Sequence, residues 1–462
     1  MEYTKPQETP VTPENNKIVN ISILQGSKLF NENTPFIINI NSPDTINKKS
    51  NVDLICIIDI SGSMKAQKLN LVKESLKSLI LLMDSKDRLA LILFNDKATQ
   101  YLDLSYLTKE TKESYIAKID KIKSRGGTNI LSGLEKAINI LKEEKLKEAN
   151  DTTPTKEENE RVTSLMLLSD GNDNDYNDIE IADGLKNLTK GHNLSFTLHT
   201  FGYGEDHDPK IMSRLANLRD GSFYMIEELD KVRDCFVSVL GGCMSVMYNE
   251  AILKVKSLNN NVKIKKIYGM NKLYKYELKE NCFETTILQF ISGKEYTFTM
   301  EIELPNIISI NDDIFEVEFI DGNNTNNFKQ ICKYKIVGGA FSVADEEYLR
   351  SKLYDTIDKA LELKEQKKDE EMRKILNEMK NWIKDNYEGI NRSQYLKKID
   401  ETMGLIQDNY LFECRGRSRV TADINENLLK RGGVNLNYCN LMQNEMINQS
   451  RSYTNPLYKK KK

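Results

Sequence analysis

VDLICIIDISGSM, residues 52–64, is the stretch that decides the fold. Its apolar run from Leu54 to Ile58 reads as a strand buried on both faces. It ends in Asp59-Ile60-Ser61-Gly62-Ser63-Met64, which puts a carboxylate and two hydroxyls where a strand becomes a loop. Oxygen ligands of this kind suit a hard cation, magnesium or manganese; magnesium binds through few carboxylates and keeps waters or a partner's oxygen in its shell. Two later loops add oxygens. Gly126-Gly127-Thr128-Asn129 precedes a helical pattern, and Ser169-Asp170-Gly171 closes the apolar strand Val162 to Leu168. The expectation is one site in which Asp59, Ser61, Ser63, Thr128 and Asp170 converge. Asp and Ser also serve as turn formers and helix caps, so D-x-S-x-S alone says little. Three such segments in order, each placed by flanking apolar runs, say much more.

Outward from this stretch, strands alternate with helical patterns. VDLICIID, RLALILFN, TSLMLLSD and LSFTLHTFG are nearly continuous apolar strands. Between and after them, Lys68 to Met83, Lys109 to Ile122, Ile130 to Lys147, Asp178 to Leu188 and Asp208 to Leu218 carry apolar residues at helical spacing. That is an α/β domain with a doubly wound, mainly parallel sheet, placed at residues 51–247 and closed by a helix from Asp230 to Met247. In such sheets ligands bind outside the carboxyl ends of the strands, where all the motif positions fall. Short alternating segments follow to about residue 340 and read as an antiparallel β-sandwich (248–340). Strands within residues 18–50 are expected to complete it, which makes the α/β domain an insertion in the sandwich. Residues 1–17 read as a flexible lead, and 142–161 as an exposed helix end and solvated loop. Residues 341–435 form an amphipathic helical region, from Leu349 through Trp382 and again from Gln394 to Phe412. Residues 436–462 read as a polar tail with a basic end, a solvated terminus.

Composition narrows the classes. At 462 residues the chain holds more than one core. A net charge of -3 gives no field favouring nucleic acid, and no nucleic-acid partner is expected. Seven cysteines, scattered without C-x-x-C pairs, argue against zinc clusters, and Cys56 inside its strand reads as a small buried hydrophobe. The polar amino terminus lacks the features of a secretory signal, and no run reaches membrane-spanning length. A reducing, cytoplasmic setting is the expectation.

The D-x-S-x-S strand end with a later Thr and a later Asp resembles the von Willebrand factor type A domain and its metal-ion-dependent adhesion site. The resemblance implies a Rossmann-like domain whose Asp59 and Asp170 act wholly or partly through bound waters, and whose last helix moves when the site switches. His199-Thr200-Phe201-Gly202-Tyr203-Gly204-Glu205-Asp206-His207-Asp208 is similar to a stretch of the plant type A proteins that carry an amino-terminal RING finger. RSKLYDTIDKALEL and GRSRVTADINENLLKRGG are similar to that subgroup's carboxyl-terminal region. Those plant proteins are regarded as ubiquitin ligases through the RING. No cysteine precedes Cys56 here, so the binding architecture is expected to carry over and the ligase activity is not.

The three hydroxyls are neutral ligands that leave the ion electrophilic, so an acidic residue of a partner protein is expected to complete its shell. Gly62 is expected to allow a tight turn beside the ion, and Gly126 and Gly127 to let the Thr128 loop shift. The reading is a non-enzymatic, cation-dependent protein-binding scaffold. Two alternatives stand beside it: a substrate-recognition subunit of the ubiquitin pathway, and a magnesium phosphohydrolase with Asp59 as nucleophile. The last needs an acidic or basic partner two residues on, where Ser61 stands, and His207 is read as loop structure and helix capping.

Overall fold

The structure, a computed structural model, describes residues 19–27, 33–44, 49–64, 66–150, 161–169, 173–203, 208–226, 231–268, 281–305, 307–323, 325–337, 342–388, 391–412, 416–427 and 440–452. Two antiparallel strands come first, β1 (Asn20–Gln25) and β2 (Asn33–Asn41). The α/β unit follows: β3 (Val52–Asp59), α1 (Ala66–Leu82), β4 (Arg88–Phe94), β5 (Ala98–Tyr106), α2 (Lys109–Ile119), α3 (Ile130–Asn150), β6 (Val162–Ser169), α4 (Asp178–Thr189), β7 (Thr197–Tyr203), α5 (Pro209–Leu218), β8 (Phe223–Ile226) and α6 (Lys231–Met244). Its six strands lie in the order β5-β4-β3-β6-β7-β8. All neighbours are parallel except β5, which runs antiparallel along β4. All eight residues of β3 are buried because helices cover both faces. α1, α2 and α6 enclose one core; α3, α4 and α5 enclose the other. The two edge strands, β5 and β8, went unread in the sequence. β5 (ATQYLDLSY) is half exposed and polar, and β8 is only four residues long, so neither has the apolar run that marks a buried strand.

The expected insertion is present. β9 (Val246–Ser257), β10 (Lys263–Tyr268), β11 (Cys282–Ile291), β12 (Tyr296–Glu303), β13 (Asp313–Ile320) and β14 (Asn327–Lys333) follow α6. They form two four-stranded antiparallel sheets, β1-β2-β12-β10 and β11-β9-β13-β14, around an apolar core that includes Phe36, Phe290, Phe315 and Phe319. The α/β unit leaves and rejoins the sandwich at adjacent points: Ser50 N donates to Met244 O at 2.9 Å and Ser50 Oγ to Val246 O at 2.8 Å. The sandwich meets the amino-end side of the parallel sheet. There the buried Gln289 of β11 accepts from Thr197 Oγ1 (3.2 Å) and donates to Thr163 O (3.0 Å).

The helical region is α7 (Val343–Glu365), α8 (Asp369–Asn386), α9 (Arg392–Gln407), the single turn α10 (Asn409–Leu411) and α11 (Arg417–Asn427), around its own core. α7 starts at a capping box in which Ser342 and Asp345 bond each other, and Asp345 also accepts from the N–H and hydroxyl of Ser27 beyond β1. α11 packs against α7 and α5. The expected polar tail at 436–462 is corrected in part. Leu441–Ser452 is a helix, α12, whose Met442, Met446 and Ile447 complete the core beneath α1 and α6. Gln443 Nε2 donates to Ser238 O at 2.8 Å, and Arg451 pairs with Asp234 at 2.6 Å. Three buried apolar residues among mostly polar ones make a narrow stripe, visible as a packing face only once α6 supplies its partner. The basic end, Tyr458 to Lys462, lies outside the described residues.

Candidate metal centre

β3 delivers Asp59 to the carboxyl-end face, where the carboxylate is fully buried. Its Oδ1 accepts from the Ser61 amide at 2.7 Å and its Oδ2 from the hydroxyl of Ser169, the last residue of β6, at 2.6 Å. Two neutral donors therefore orient a charged group that burial would otherwise penalise. Ser61 is buried and Ser63 exposed, with their hydroxyl oxygens 2.9 Å apart. Met64, seated in the core, donates its N–H to Ser61 O at 3.1 Å and ends the loop before α1.

The second loop is bonded directly to the first. Gly62 N donates to Gly126 O at 2.9 Å and Arg125 N to Ile60 O at 2.6 Å. Thr128 is buried at the start of α3, with its N–H on Asn174 Oδ1 at 2.7 Å and its C=O accepting from Asn174 N at 2.9 Å. Asp173 Oδ2 takes the first amide of α3, Ile130 N, at 2.6 Å. The third loop, between β6 and α4, is thereby fastened to the second. Asp170 lies outside the described residues, flanked by Ser169 and Asp173. Asp59, Ser61 and Ser63 are thus assembled, and Thr128 is carried on a loop bonded to theirs.

The expectation for Gly62 is corrected. Gly62 does not have a positive φ, and a Cβ there would stand 3.5 Å from Gly126 O, an ordinary contact. Gly126 carries the positive φ, +81°. Asp96 closes on the Thr128 loop at both glycines: a Cβ on Gly126 would fall 2.4 Å from Asp96 Oδ2, and one on Gly127 2.6 Å from Asp96 Oδ1. These glycines permit a tight grip.

The residues fit a small hard cation. The set is one carboxylate and hydroxyls, all oxygen. Two adjacent ligands of an octahedral ion with bonds of 2.0–2.1 Å stand about 2.9 Å apart, and the Ser61 and Ser63 hydroxyl oxygens have that separation. Ser169, Asn174 and Asp96 were not singled out from the sequence. Only the position of Ser169, next to Asp170 at a strand end, could have signalled it. Of the described histidines, His199 Nδ1 accepts from Ser222 N at 3.2 Å, and His192 follows α4. Asp208 caps α5, whereas His207 and Asp206 lie outside the described residues.

A family model described as the von Willebrand factor type A domain matches residues 53–236. This part of the chain is a von Willebrand factor type A domain. The chain is 30 % identical over 185 residues to an uncharacterised protein of Synechocystis, covering 40 % of each. It is 30 % identical over 166 residues to the inter-alpha-trypsin inhibitor heavy chain H2 of Sus scrofa, covering 36 % of this chain and 17 % of that protein. The plant resemblance recurs with the E3 ubiquitin-protein ligase WAV3 of Arabidopsis thaliana, 28 % identical over 125 residues, covering 27 % of this chain and 15 % of the ligase. The matches thus span less than half of these relatives' length. Beyond the type A domain, the whole architecture is similar to a von Willebrand factor type A structure from Catenulispora acidiphila. The TM-score is 0.62 at 13 % identity, covering 91 % of this chain and 98 % of that one, a likeness of fold. Among the described residues no helix is long and apolar enough to cross a membrane.

Proposed function

We propose that the type A domain is a cation-dependent recognition head, with Asp59, Ser61, Ser63, Thr128 and Asp170 holding magnesium or manganese at a metal-ion-dependent adhesion site. The observation that carries this reading is the buried Asp59, held by Ser61 and Ser169, beside the paired Ser61 and Ser63 hydroxyls. Type A domains are protein-interaction modules, and a bound cation would supply an electrophilic point for an acidic residue of a protein partner. The chain's own groups do the rest: the neutral hydroxyls leave positive charge for that carboxylate, and the bonded loops keep the oxygens in place. We also propose a reducing, cytoplasmic setting, on the scattered cysteines of the sequence and the polar amino-terminal stretch. We assign residues 18–50 and 248–340 to the sandwich and 51–247 to the head, with 341–435 as a second docking region.

The similarity to a plant ubiquitin ligase favours one narrower reading, substrate selection in the ubiquitin pathway with another chain supplying the ligase. A phosphohydrolase fits less well, because both oxygens of Asp59 already accept hydrogen bonds within the fold. The test is calorimetric titration of magnesium and manganese into the chelator-stripped full chain and its Asp59→Ala and Thr128→Ala variants. Saturable uptake lost in both variants is expected. No uptake by the parent chain, or equal uptake by all three, overturns the proposal.

A further inference from the structure

We infer that Asn174 is a positioning residue of the cation site, holding Thr128 in place before any cation arrives. The inference rests on the cation-site reading above. Both backbone groups of Thr128 go to this one residue: the N–H to Asn174 Oδ1 at 2.7 Å and the C=O to Asn174 N at 2.9 Å. Asn174 stands four positions after Asp170, so one residue, through its side chain and its backbone, ties the Thr128 loop to the loop that follows β6. Its neighbour Asp173 reinforces the join, with Oδ2 on Ile130 N and Oδ1 on the amides of Asp175 (2.9 Å) and Tyr176 (2.9 Å).

The opposite side of the Thr128 loop is held as well. Asp96 Oδ1 accepts from Gly127 N at 3.0 Å, and Asn129 N donates to Asn95 O at 2.8 Å. The two glycines lie where these grips close, since a Cβ on Gly127 would stand 2.6 Å from Asp96 Oδ1 and 3.3 Å from Asn174 Oδ1. A loop clamped from both sides loses little freedom when its threonine takes a ligand role, and lost freedom is part of what binding costs. Partners that orient a metal's ligands typically change metal affinity by about 10–100-fold when removed. Asn174 is exposed, and water competes for its bonds, so its effect belongs at the low end of that range.

The experiment titrates magnesium and manganese alone into the full chain carrying Asn174→Ala or Asn174→Asp. In the metal-free state, hydrogen exchange is followed at the Thr128 amide. Aspartate keeps an acceptor for the Thr128 N–H, and alanine removes it. The expected result is roughly tenfold weaker cation binding and faster Thr128 exchange in the alanine variant. The aspartate variant restores slow exchange and binds at least as tightly as the parent, its added charge favouring the cation. Restored exchange in the absence of metal separates positioning from charge. Parent-like affinity and exchange in the alanine variant overturn this inference alone; so does a variant that unfolds more easily with unchanged affinity. Absence of cation uptake by the parent chain overturns both this inference and the reading beneath it.

Discussion

β3 carries an aspartate near each end, Asp53 and Asp59, six residues and about 20 Å apart, and the fold treats the two in opposite ways. Asp53, at the amino end, is neutralised. Arg88 Nε and Nη2 reach its two oxygens at 2.8 and 2.5 Å, Arg161 Nε adds a contact at 2.8 Å, and both guanidinium groups lie over the Tyr106 ring. Burial works against the Arg88 charge, but Asp53 and Glu144 outweigh it and hold its pKa above the ordinary value. Asp59, at the carboxyl end, accepts from an amide and a hydroxyl, which fix both of its oxygens beside the serine hydroxyls. Two aspartates on one strand thus become a structural ion pair and a candidate ligand, according to what the neighbouring strands bring.

The contrast can be broken most sharply at Asp53. Asp53→Ala takes the carboxylate from the largely buried Arg161 and leaves Arg88 with Glu144 alone, and is expected to cost about 3–5 kcal/mol in chemical denaturation. Cation affinity should stay unchanged in the same variant, and a parallel loss would show that the two ends are not independent. The next effect is on the other end. Magnesium at about one hundred times its dissociation constant should stabilise the parent and Asp53→Ala chains by about 2.7 kcal/mol each, read from denaturation midpoints, and should leave Asp59→Ala unmoved. Chelation should reverse the gain.

At the amino end, Gln289→Leu removes the side-chain link between β11 and the starts of β6 and β7. It is expected to cost about 1–3 kcal/mol by denaturation, with cation uptake intact. The smallest effect lies midway along β3. Burial pushes the Cys56 thiol up to about 12, so raising pH from 7 to 9 creates almost no thiolate. Alkylation followed by peptide mass analysis should find Cys56 unmodified across that range in the folded chain and labelled after denaturation. Labelling in the native chain that rises with pH would mean that the strand opens.

Much of this was readable in advance. The four apolar strands, the helices between them and the return to alternating segments after Met244 follow from period and side-chain type, which act locally. The half-polar β5 and the four-residue β8 did not show, because an edge strand needs only one buried face and borrows its hydrogen bonds from a neighbour. α12 was hidden for a related reason: Met442, Met446 and Ile447 in a polar segment become a packing face only against α6.

The strand-to-loop run at Asp59, the hydroxyls beside it and the later Thr128 loop are legible from residues close together in the chain, and the insertion of an α/β domain in a sandwich from the order of strand and helix patterns along it. Folding alone joins Asp59 to Ser169, 110 residues away, Asp53 to Arg161, 108 residues away, and Thr128 to Asn174, 46 residues away. Polar side chains declare what they can bond, whereas their partners are chosen when the parallel sheet brings distant strand ends to one face.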